Sequence, residues 1–262
     1  MYDFHMHTTV SFDGVGTAQE MAEAAVAKGL KEICFTEHLD YYLNPPYDIN
    51  YTFKTEDYNA VHDHLEVPGL VIRHGFEFGM TTWNKDALTA DLQRRPFDFV
   101  IGSVHTVNDQ DAYIPEYWQG RTVRESFEAY LNEVLACVKV HDGYDVLGHL
   151  NYVCKSPNNP THEPLRYEDF PELADEIMKE LVRKGKGMEI NTSGIDRAGV
   201  FLPSAEYLRR FKELGGEIVT VGSDAHRPIN VGKYVPEALE VLKDIFGYVC
   251  TYENRKPVFH KL

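Results

Sequence analysis

Residues 2–38 read YDFHMHTTVSFDGVGTAQEMAEAAVAKGLKEICFTEH, and this stretch contains one complete strand–helix–strand unit. The apolar pattern predicts a strand over Tyr2–Met6 and another over Glu32–Thr36. Between them, Thr17–Lys28 has the pattern of an amphipathic helix. A helix that connects two short apolar strands is typical of a parallel sheet.

Start and stop signals in this unit support the helix. Thr17 and Glu20 have the spacing of a capping box, and Gly29 is a residue type that commonly ends helices. The same alternation predicts further strands at Leu70–Phe78, Phe97–Val104, Tyr144–Gly148, Gly187–Asn191 and Glu217–Gly222. It predicts further helices at residues 85–95, 123–140, 168–184, 204–214 and 235–246, followed by a β-like tail at 248–259.

Seven such units in 262 residues predict a parallel α/β barrel close in size to the (β/α)8 fold. A doubly wound open sheet is the competing architecture. No linker rich in Pro, Gly or Ser divides the chain, so we expect residues 1–262 to form a single domain. Two long loops, Asp40–Glu66 and Asn151–Arg166, are expected to be functional because loops of this length are otherwise uncommon.

Each predicted strand carries a side chain at its carboxyl end that can bind a metal ion. These residues are His5, His7, Glu37, His38, Glu77, His105, His149, Glu189, Asn191, Asp224 and His226. Barrel enzymes build their active sites at this end. Because residues two apart on a strand point the same way, His5 and His7 can hold one ion together. Imidazole with carboxylate suits zinc, iron or manganese, and Glu77 could bridge two ions.

Other residues of metal-binding type have simpler interpretations. We expect His62 and His64 on a solvated surface, His141 at a helix end, His74 packed behind the barrel, and His162 and His260 exposed. Asp13 precedes Gly14, so it forms either a turn or part of a metal site. Glu37 could be a metal ligand, a partner that orients His38, or a residue that faces away from the site. Because successive side chains on a strand alternate in direction, its position next to His38 favours the last two. Cys34 is expected in the core.

Composition narrows the function further. The 26 Lys and Arg against 41 Asp and Glu give a formal net charge of −15, which argues against a nucleic-acid-binding protein. The four cysteines have no CxxC spacing, and we find no signal peptide or membrane-spanning segment, so a cytoplasmic location is expected. The sequence has no GxSxG elbow, P-loop or GxGxxG motif.

In order along the chain, His5-x-His7, Thr36-Glu37-His38, Glu77, His105, His149 and Asp224-x-His226 resemble the motifs of the PHP (polymerase and histidinol phosphatase) domain family. The resemblance implies a distorted seven-stranded (β/α)7 TIM-like barrel with two or three metal ions. It implies one metal at His5, His7, Glu77 and Asp224, a second at Glu77, His105 and His149, and a third at Asp13, His38 and His226. Within the family, the chain looks most like the histidinol-phosphate phosphatases of histidine biosynthesis.

The resemblance implies a phosphomonoester hydrolase acting on a small molecule, in which a metal-bridging hydroxide attacks phosphorus. Arg197 is expected to bind phosphate, and Asp224 or His226 to carry the proton to the leaving group. Further residues expected to contact substrate are Asn191, Asp40, Tyr41, Tyr42, Glu116, Tyr117 and Trp118. Alternatives are a nuclease, a phosphotyrosine-protein phosphatase, a deaminase-like amidohydrolase and a non-catalytic metal-binding protein. The metal identity and the oligomeric state stay open.

Overall fold

Across residues 1–42 and 50–262, which the computed structural model describes, seven parallel strands form a nearly closed barrel in chain order. The strands are β1 (Tyr2–Asp3), β2 (Glu32–Asp40), β3 (Val71–Gly79), β4 (Phe99–Ser103), β5 (Val146–Leu147), β6 (Gly187–Asn191) and β7 (Val219–Gly222). Three backbone hydrogen bonds close the barrel between the segments of the first and last strands: Phe4 N donates to Val221 O at 2.9 Å, Asp224 N to His5 O at 2.7 Å, and His7 N to Ala225 O at 2.9 Å. The (β/α)7 barrel is therefore confirmed, and the open sheet is wrong.

Helices pack around this barrel. In the described part of the chain they are α1 (Ala18–Ala27), α2 (Thr55–His62), α3 (Lys85–Asp91), α4 (Pro115–Trp118), α5 (Val123–Val140), α6 (Pro171–Lys184), α7 (Ile195–Ala198), α8 (Ala205–Glu213) and α9 (Val235–Ile245). The predicted capping box of α1 is present, since the Thr17 side chain accepts from Glu20 N and the Glu20 side chain accepts from Thr17 N. No helix among the described residues is both long and apolar enough to cross a bilayer.

Two loops differ from simple connections. The predicted loop Asp40–Glu66 contains α2 and a short antiparallel strand, Tyr51–Thr52, which pairs with β2. Its residues 43–49 lie outside the described part of the chain. The second long loop contains the 3-10 helix Tyr152–Lys155.

The β-like tail is an antiparallel hairpin formed by β8 (Tyr248–Glu253) and β9 (Lys256–Lys261). At the tip of the hairpin, Arg255 Nε donates to Asp145 Oδ2 at 2.5 Å, next to the start of β5. Tyr252 is buried against Phe99, with ring centroids 4.8 Å apart. The hairpin therefore packs at the end of the barrel where the strands begin.

Two histidines outside the metal-binding pattern are more buried than predicted. His62 is only 1% exposed, and its Nε2 lies 3.1 Å from a carboxylate oxygen of Glu37, so the predicted solvated position of His62 is wrong. His141 caps α5 as expected but is fully buried, with Nε2 2.8 Å from Thr81 O. Cys34 is a buried core residue, as predicted.

Candidate metal centre and active site

Side chains from the carboxyl ends of all seven barrel strands converge at one end of the barrel. The nine residues predicted as metal ligands, His5, His7, Asp13, His38, Glu77, His105, His149, Asp224 and His226, lie in this cluster. Several groups of three place their ligand atoms within 4.8 Å of one another, among them the group His5, His7 and Asp224. The cluster therefore has the composition and spacing of a metal centre.

The first part of the cluster combines residues from β1, β3 and the segment after β7. His5 Nε2 lies 3.2 Å from Glu77 Oε2 and 3.7 Å from Asp224 Oδ1. His7 Nε2 lies 3.5 Å from each of the same two oxygens. Asp224 has a left-handed backbone, with φ of 55°, which is uncommon outside glycine and is frequent at functional sites.

Glu77 faces two separate groups of histidines with its two oxygens. Its Oε2 faces His5 and His7, whereas its Oε1 lies 2.7 Å from His149 Nε2 and 3.3 Å from His105 Nε2. Ser103 Oγ also donates to Oε1 at 2.6 Å. Each oxygen of this carboxylate therefore lies beside a different pair of histidines.

Asp13 contacts a third pair of histidines. Its Oδ2 lies 3.1 Å from His226 Nε2, and its Oδ1 lies 3.7 Å from His38 Nε2. The following Gly14 is in close contact with backbone, because a Cβ there would lie 1.8 Å from Thr8 O. Asp13 thus lies in a tight loop and also faces the histidines, so the two interpretations of this residue are compatible.

Two buried carboxylates hold the outer nitrogens of the histidine rings. Glu189 Oε1 lies 2.7 Å from His5 Nδ1, and Asp40 Oδ1 lies 2.7 Å from His105 Nδ1. Such contacts fix the ring orientation and leave the other nitrogen available for a metal ion. Asp40, which we expected to contact substrate, is 4% exposed, pairs with His105 and lines a cavity beside the cluster.

A lysine that the sequence analysis did not identify completes the cluster. Lys155 Nζ lies 2.5 Å from Asp224 Oδ2 and 3.0 Å from Ser193 Oγ, and Ser193 Oγ lies 3.1 Å from Asp224 Oδ2. Burial opposes the charge of Lys155, but Asp224 raises its pKa above the ordinary value. Asp224 therefore has one oxygen toward the histidines and the other toward a cation.

The electrostatics of the cluster fit divalent cations. Glu77, Asp224, Glu189 and Asp40 are all buried, and buried carboxylates require compensating positive charge. Burial would lower the pKa of His5, but the charges of Glu189 and Glu77 raise it well above its ordinary value. The Nε2 atoms of His5 and His7 are buried and lack hydrogen-bond partners, as expected for atoms aimed at a metal site.

Two cavities adjoin the cluster. The first, of about 410 Å³, is lined by Lys155, Arg197 and Lys233 together with Asp13, Asp196 and Asp224, and is called the cationic cavity below for its three basic side chains. The second, of about 270 Å³, is called the aromatic cavity and is lined by four aromatic residues, Phe12, Tyr42, Tyr113 and Tyr152, and by acidic residues that include Asp111. Lys155 and Asp224 line both cavities, so the cavities meet at the metal centre.

Arg197, predicted to bind phosphate, lines the cationic cavity. Its side chain is exposed on α7, and its guanidinium carbon is 5.7 Å from the Tyr113 ring centre. Asn191 lies beneath the cavity and is fully buried. Its Nδ2 donates to Glu189 Oε2 at 3.1 Å and its Oδ1 accepts from Ser193 Oγ at 2.7 Å. Asn191 therefore orients other site residues.

Other residues expected to contact substrate lie outside both cavities. Tyr41 Oη donates to the Asp91 carboxylate at 3.0 Å, and Tyr117 is a core residue whose hydroxyl donates to Ser126 O. Glu116 is exposed on α4, and Trp118 is buried with Nε1 donating to Ala112 O at 3.0 Å. The predictions for these four residues do not fit this geometry. Tyr42 does line the aromatic cavity.

Comparisons with known proteins agree with this geometry. The chain matches the PHP domain over residues 3–193. It is 30% identical over 259 residues to a protein of Clostridium acetobutylicum named probable histidinol-phosphatase, covering 99% of this chain and 96% of that one. It is 31% identical over 226 residues to a histidinol-phosphatase of Lactococcus lactis, covering 86% and 83% of the two chains.

A solved structure shares the whole fold. The crystal structure of histidinol phosphate phosphatase from Lactococcus lactis, complexed with zinc, L-histidinol and phosphate, superimposes with a TM-score of 0.85. The two chains are 27% identical, and 98% of each is covered. The family match, the full-length relative and the barrel with its cluster of histidines and carboxylates lead to one conclusion: the chain belongs to the PHP domain family.

Proposed function

We propose that residues 1–262 form one catalytic domain that hydrolyses L-histidinol phosphate to L-histidinol and phosphate. The observation that carries the proposal is the cationic cavity, which opens directly onto the cluster of nine ligand-type residues. A phosphate ester has the charge that this arrangement can bind. The relatives named histidinol-phosphatase, and the related structure with zinc, L-histidinol and phosphate, support the substrate.

We propose two or three divalent ions in the centre, with zinc favoured by the related structure and manganese or iron as alternatives. His5, His7, Glu77 and Asp224 would hold the first. Glu77, His105 and His149 would hold the second, and Asp13, His38 and His226 the third. When bound, such ions lower the pKa of water and neutralise charge on phosphoryl oxygens.

The residues of the cationic cavity are suited to bind the phosphoryl group. Arg197 can donate two parallel hydrogen bonds to phosphoryl oxygens, because its guanidinium is exposed in this cavity. Lys155 and Ser193 lie at the boundary with the metal centre and can place a cation and a hydroxyl against the same group. Lys233 lies farther out and is paired with Asp196 at 2.5 Å.

The leaving alkoxide needs a proton. Burial would raise the pKa of Asp224, but Lys155 and His5 hold it well below its ordinary value, so this carboxylate is a poor donor. We therefore assign the role to His226, which lines both cavities. This role and binding of a third metal by His226 exclude one another, so the metal stoichiometry of the active enzyme decides between them.

The aromatic cavity suits the other end of the substrate. L-Histidinol phosphate carries an ammonium group and an imidazole, and this cavity offers the Asp111 carboxylate beside the rings of Tyr42, Tyr113 and Tyr152. A cation is stabilised by a carboxylate and by aromatic faces. We expect Asp111→Asn to lower kcat/KM for histidinol phosphate about tenfold, while p-nitrophenyl phosphate, which lacks the cation, changes less than threefold.

The deciding experiment compares kcat/KM for five substrates at saturating metal. These are histidinol phosphate, p-nitrophenyl phosphate, a nucleoside monophosphate, a phosphotyrosine peptide and a DNA 3′ end. We expect histidinol phosphate to exceed each of the others by at least about tenfold, or about 1.4 kcal/mol in transition-state binding. Preference for the peptide or the DNA end would instead assign the chain to another substrate class of the same family.

A further inference from the structure

Glu37, next to the metal-ligand candidate His38, points away from the metal centre and is fully buried. Its carboxylate receives four donors. Thr8 donates through N at 3.1 Å and through Oγ1 at 2.7 Å. Ser11 Oγ donates at 2.5 Å, and His62 Nε2 lies 3.1 Å away. With only donors around it, the carboxylate is stabilised as the anion.

Ser11 connects this carboxylate to the metal centre. Its Oγ accepts a hydrogen bond from His38 N at 3.0 Å and lies 3.3 Å from His7 Nδ1. Because the single hydroxyl proton of Ser11 points to Glu37, its oxygen can only accept from the other two neighbours. His7 must then carry its proton on Nδ1.

The opposite nitrogen of His7 faces the proposed metal site. His7 Nε2 is buried without a hydrogen-bond partner and lies 3.5 Å from both Glu77 Oε2 and Asp224 Oδ1. A neutral imidazole protonated on Nδ1 presents its lone pair on Nε2. The direction of the hydrogen bonds therefore determines which nitrogen of His7 can bind a metal ion.

We propose that Glu37 is a positioning residue that acts through Ser11 to hold His7 in the tautomer whose Nε2 binds metal. The inference rests on the proposed role of His7 as a ligand. His62, at the end of α2, extends the chain of contacts because it contacts the Glu37 carboxylate. Its ring also stacks on Phe35, with ring centroids 4.8 Å apart. The network thus connects α2 to the first metal site.

Two variants interrupt the network at different points. Ser11→Ala removes the acceptor for His7 Nδ1. Glu37→Gln leaves one acceptor oxygen where four donors converge, which frees the Ser11 hydroxyl to turn toward His7. Thr8→Val is the matched control, because it removes one donor to the same carboxylate and leaves Ser11 in place between Glu37 and His7.

The measurement is zinc affinity of the full-length protein by competition with a chelator. We expect Ser11→Ala and Glu37→Gln to weaken zinc binding about 10- to 100-fold, the usual cost of losing a residue that orients a ligand. At saturating zinc their kcat should return to within about threefold of wild type, because the reacting groups are intact. Thr8→Val should bind zinc within about threefold of wild type. Unchanged affinity in both network variants, or an equal loss in Thr8→Val, overturns the proposal.

A second measurement needs no variant. Nitrogen NMR of histidine-labelled, zinc-loaded protein reports which nitrogen of His7 carries the proton. Protonation of Nδ1 with Nε2 bound to zinc is expected, and binding through Nδ1 overturns the inference even if the variants do not fold. Zinc-loaded protein without activity on histidinol phosphate would contradict the proposed function and leave this inference standing.

Discussion

Replacing Lys155 by methionine tests the proposed contact between the metal centre and the cationic cavity. Methionine keeps an unbranched apolar stem and removes the ammonium group, which lies 2.5 Å from Asp224 Oδ2. Asp224 Oδ2 would retain Ser193 Oγ at 3.1 Å as a partner, and the cavity would lose the cation nearest the metal centre. The change therefore has a catalytic effect and a structural effect, which can be measured separately.

The catalytic effect follows from removing one fixed charge beside the phosphoryl group. Loss of a single preorganised group of this kind typically lowers kcat by about 10²- to 10³-fold, or about 2.7–4 kcal/mol. The structural effect follows from leaving the buried Asp224 without its cation, which costs about 3–5 kcal/mol for buried pairs in general. Bound metal would compensate the charge of Asp224, so we expect the stability loss to be larger in the metal-free protein.

The assay is kcat/KM for histidinol phosphate at saturating zinc, together with thermal unfolding with and without chelator. Lys186→Met is the control, because Lys186 Nζ donates to Tyr144 O at 2.6 Å and lines neither cavity. We expect Lys186→Met to keep kcat/KM within about threefold of wild type. A folded, zinc-loaded Lys155→Met enzyme with kcat/KM also within threefold would refute the role of Lys155.

Three further predictions concern ligands, phosphate and pH. His7→Ala and Glu77→Ala should each lower turnover at least about 10²-fold, and chelator-treated wild-type enzyme should recover activity with zinc, manganese or iron; full activity without bound metal would contradict this. Arg197→Ala should cost about 2–4 kcal/mol in kcat/KM, whereas a change below threefold would mean that Arg197 does not bind phosphate. Burial lowers the pKa of His74 from 6.5 to about 4, so the unfolded chain binds a proton at higher pH than the folded protein and stability should fall as pH decreases from 6.5 to 4. In denaturant unfolding, the free energy of unfolding of His74→Gln should decline less steeply between pH 6.5 and 4 than that of wild type. An identical dependence on pH would contradict the lowered pKa of His74.

The barrel and the metal-ligand candidates could be predicted because both follow from local patterns. Strands and capped helices can be predicted from the spacing of residue types in the sequence. The carboxyl ends of parallel barrel strands then lie at the same end of the barrel, whatever the loop conformations. This rule placed His5, His105 and His149 in one cluster although they are far apart in sequence. The motif order then identified the family.

The loop residues could not be predicted in the same way. Lys155 reaches Asp224 from a 3-10 helix, and no sequence periodicity indicates where a side chain in a long loop will point. Tyr117 was expected in the cleft because it follows β4, but it packs in the core with its hydroxyl donating to Ser126 O. The length of a loop and its residue types can be read from the sequence, whereas the direction of each side chain depends on tertiary packing.

The closure of the barrel between its first and last strands has a consequence for local unfolding. This seam is short: β1 spans only Tyr2–Asp3, and the bridge between Met6 and Ala225 lies just beyond it. The proposed ligands His5 and His7 lie on one side of the seam, and Asp224 lies on the other. An ion held by all three would cross-link the seam and stabilise the closed form in proportion to the logarithm of the free metal concentration. Backbone amides along the seam should then exchange hydrogen more slowly as zinc is added, while amides in the β8–β9 hairpin, which carries none of the proposed ligands, change little.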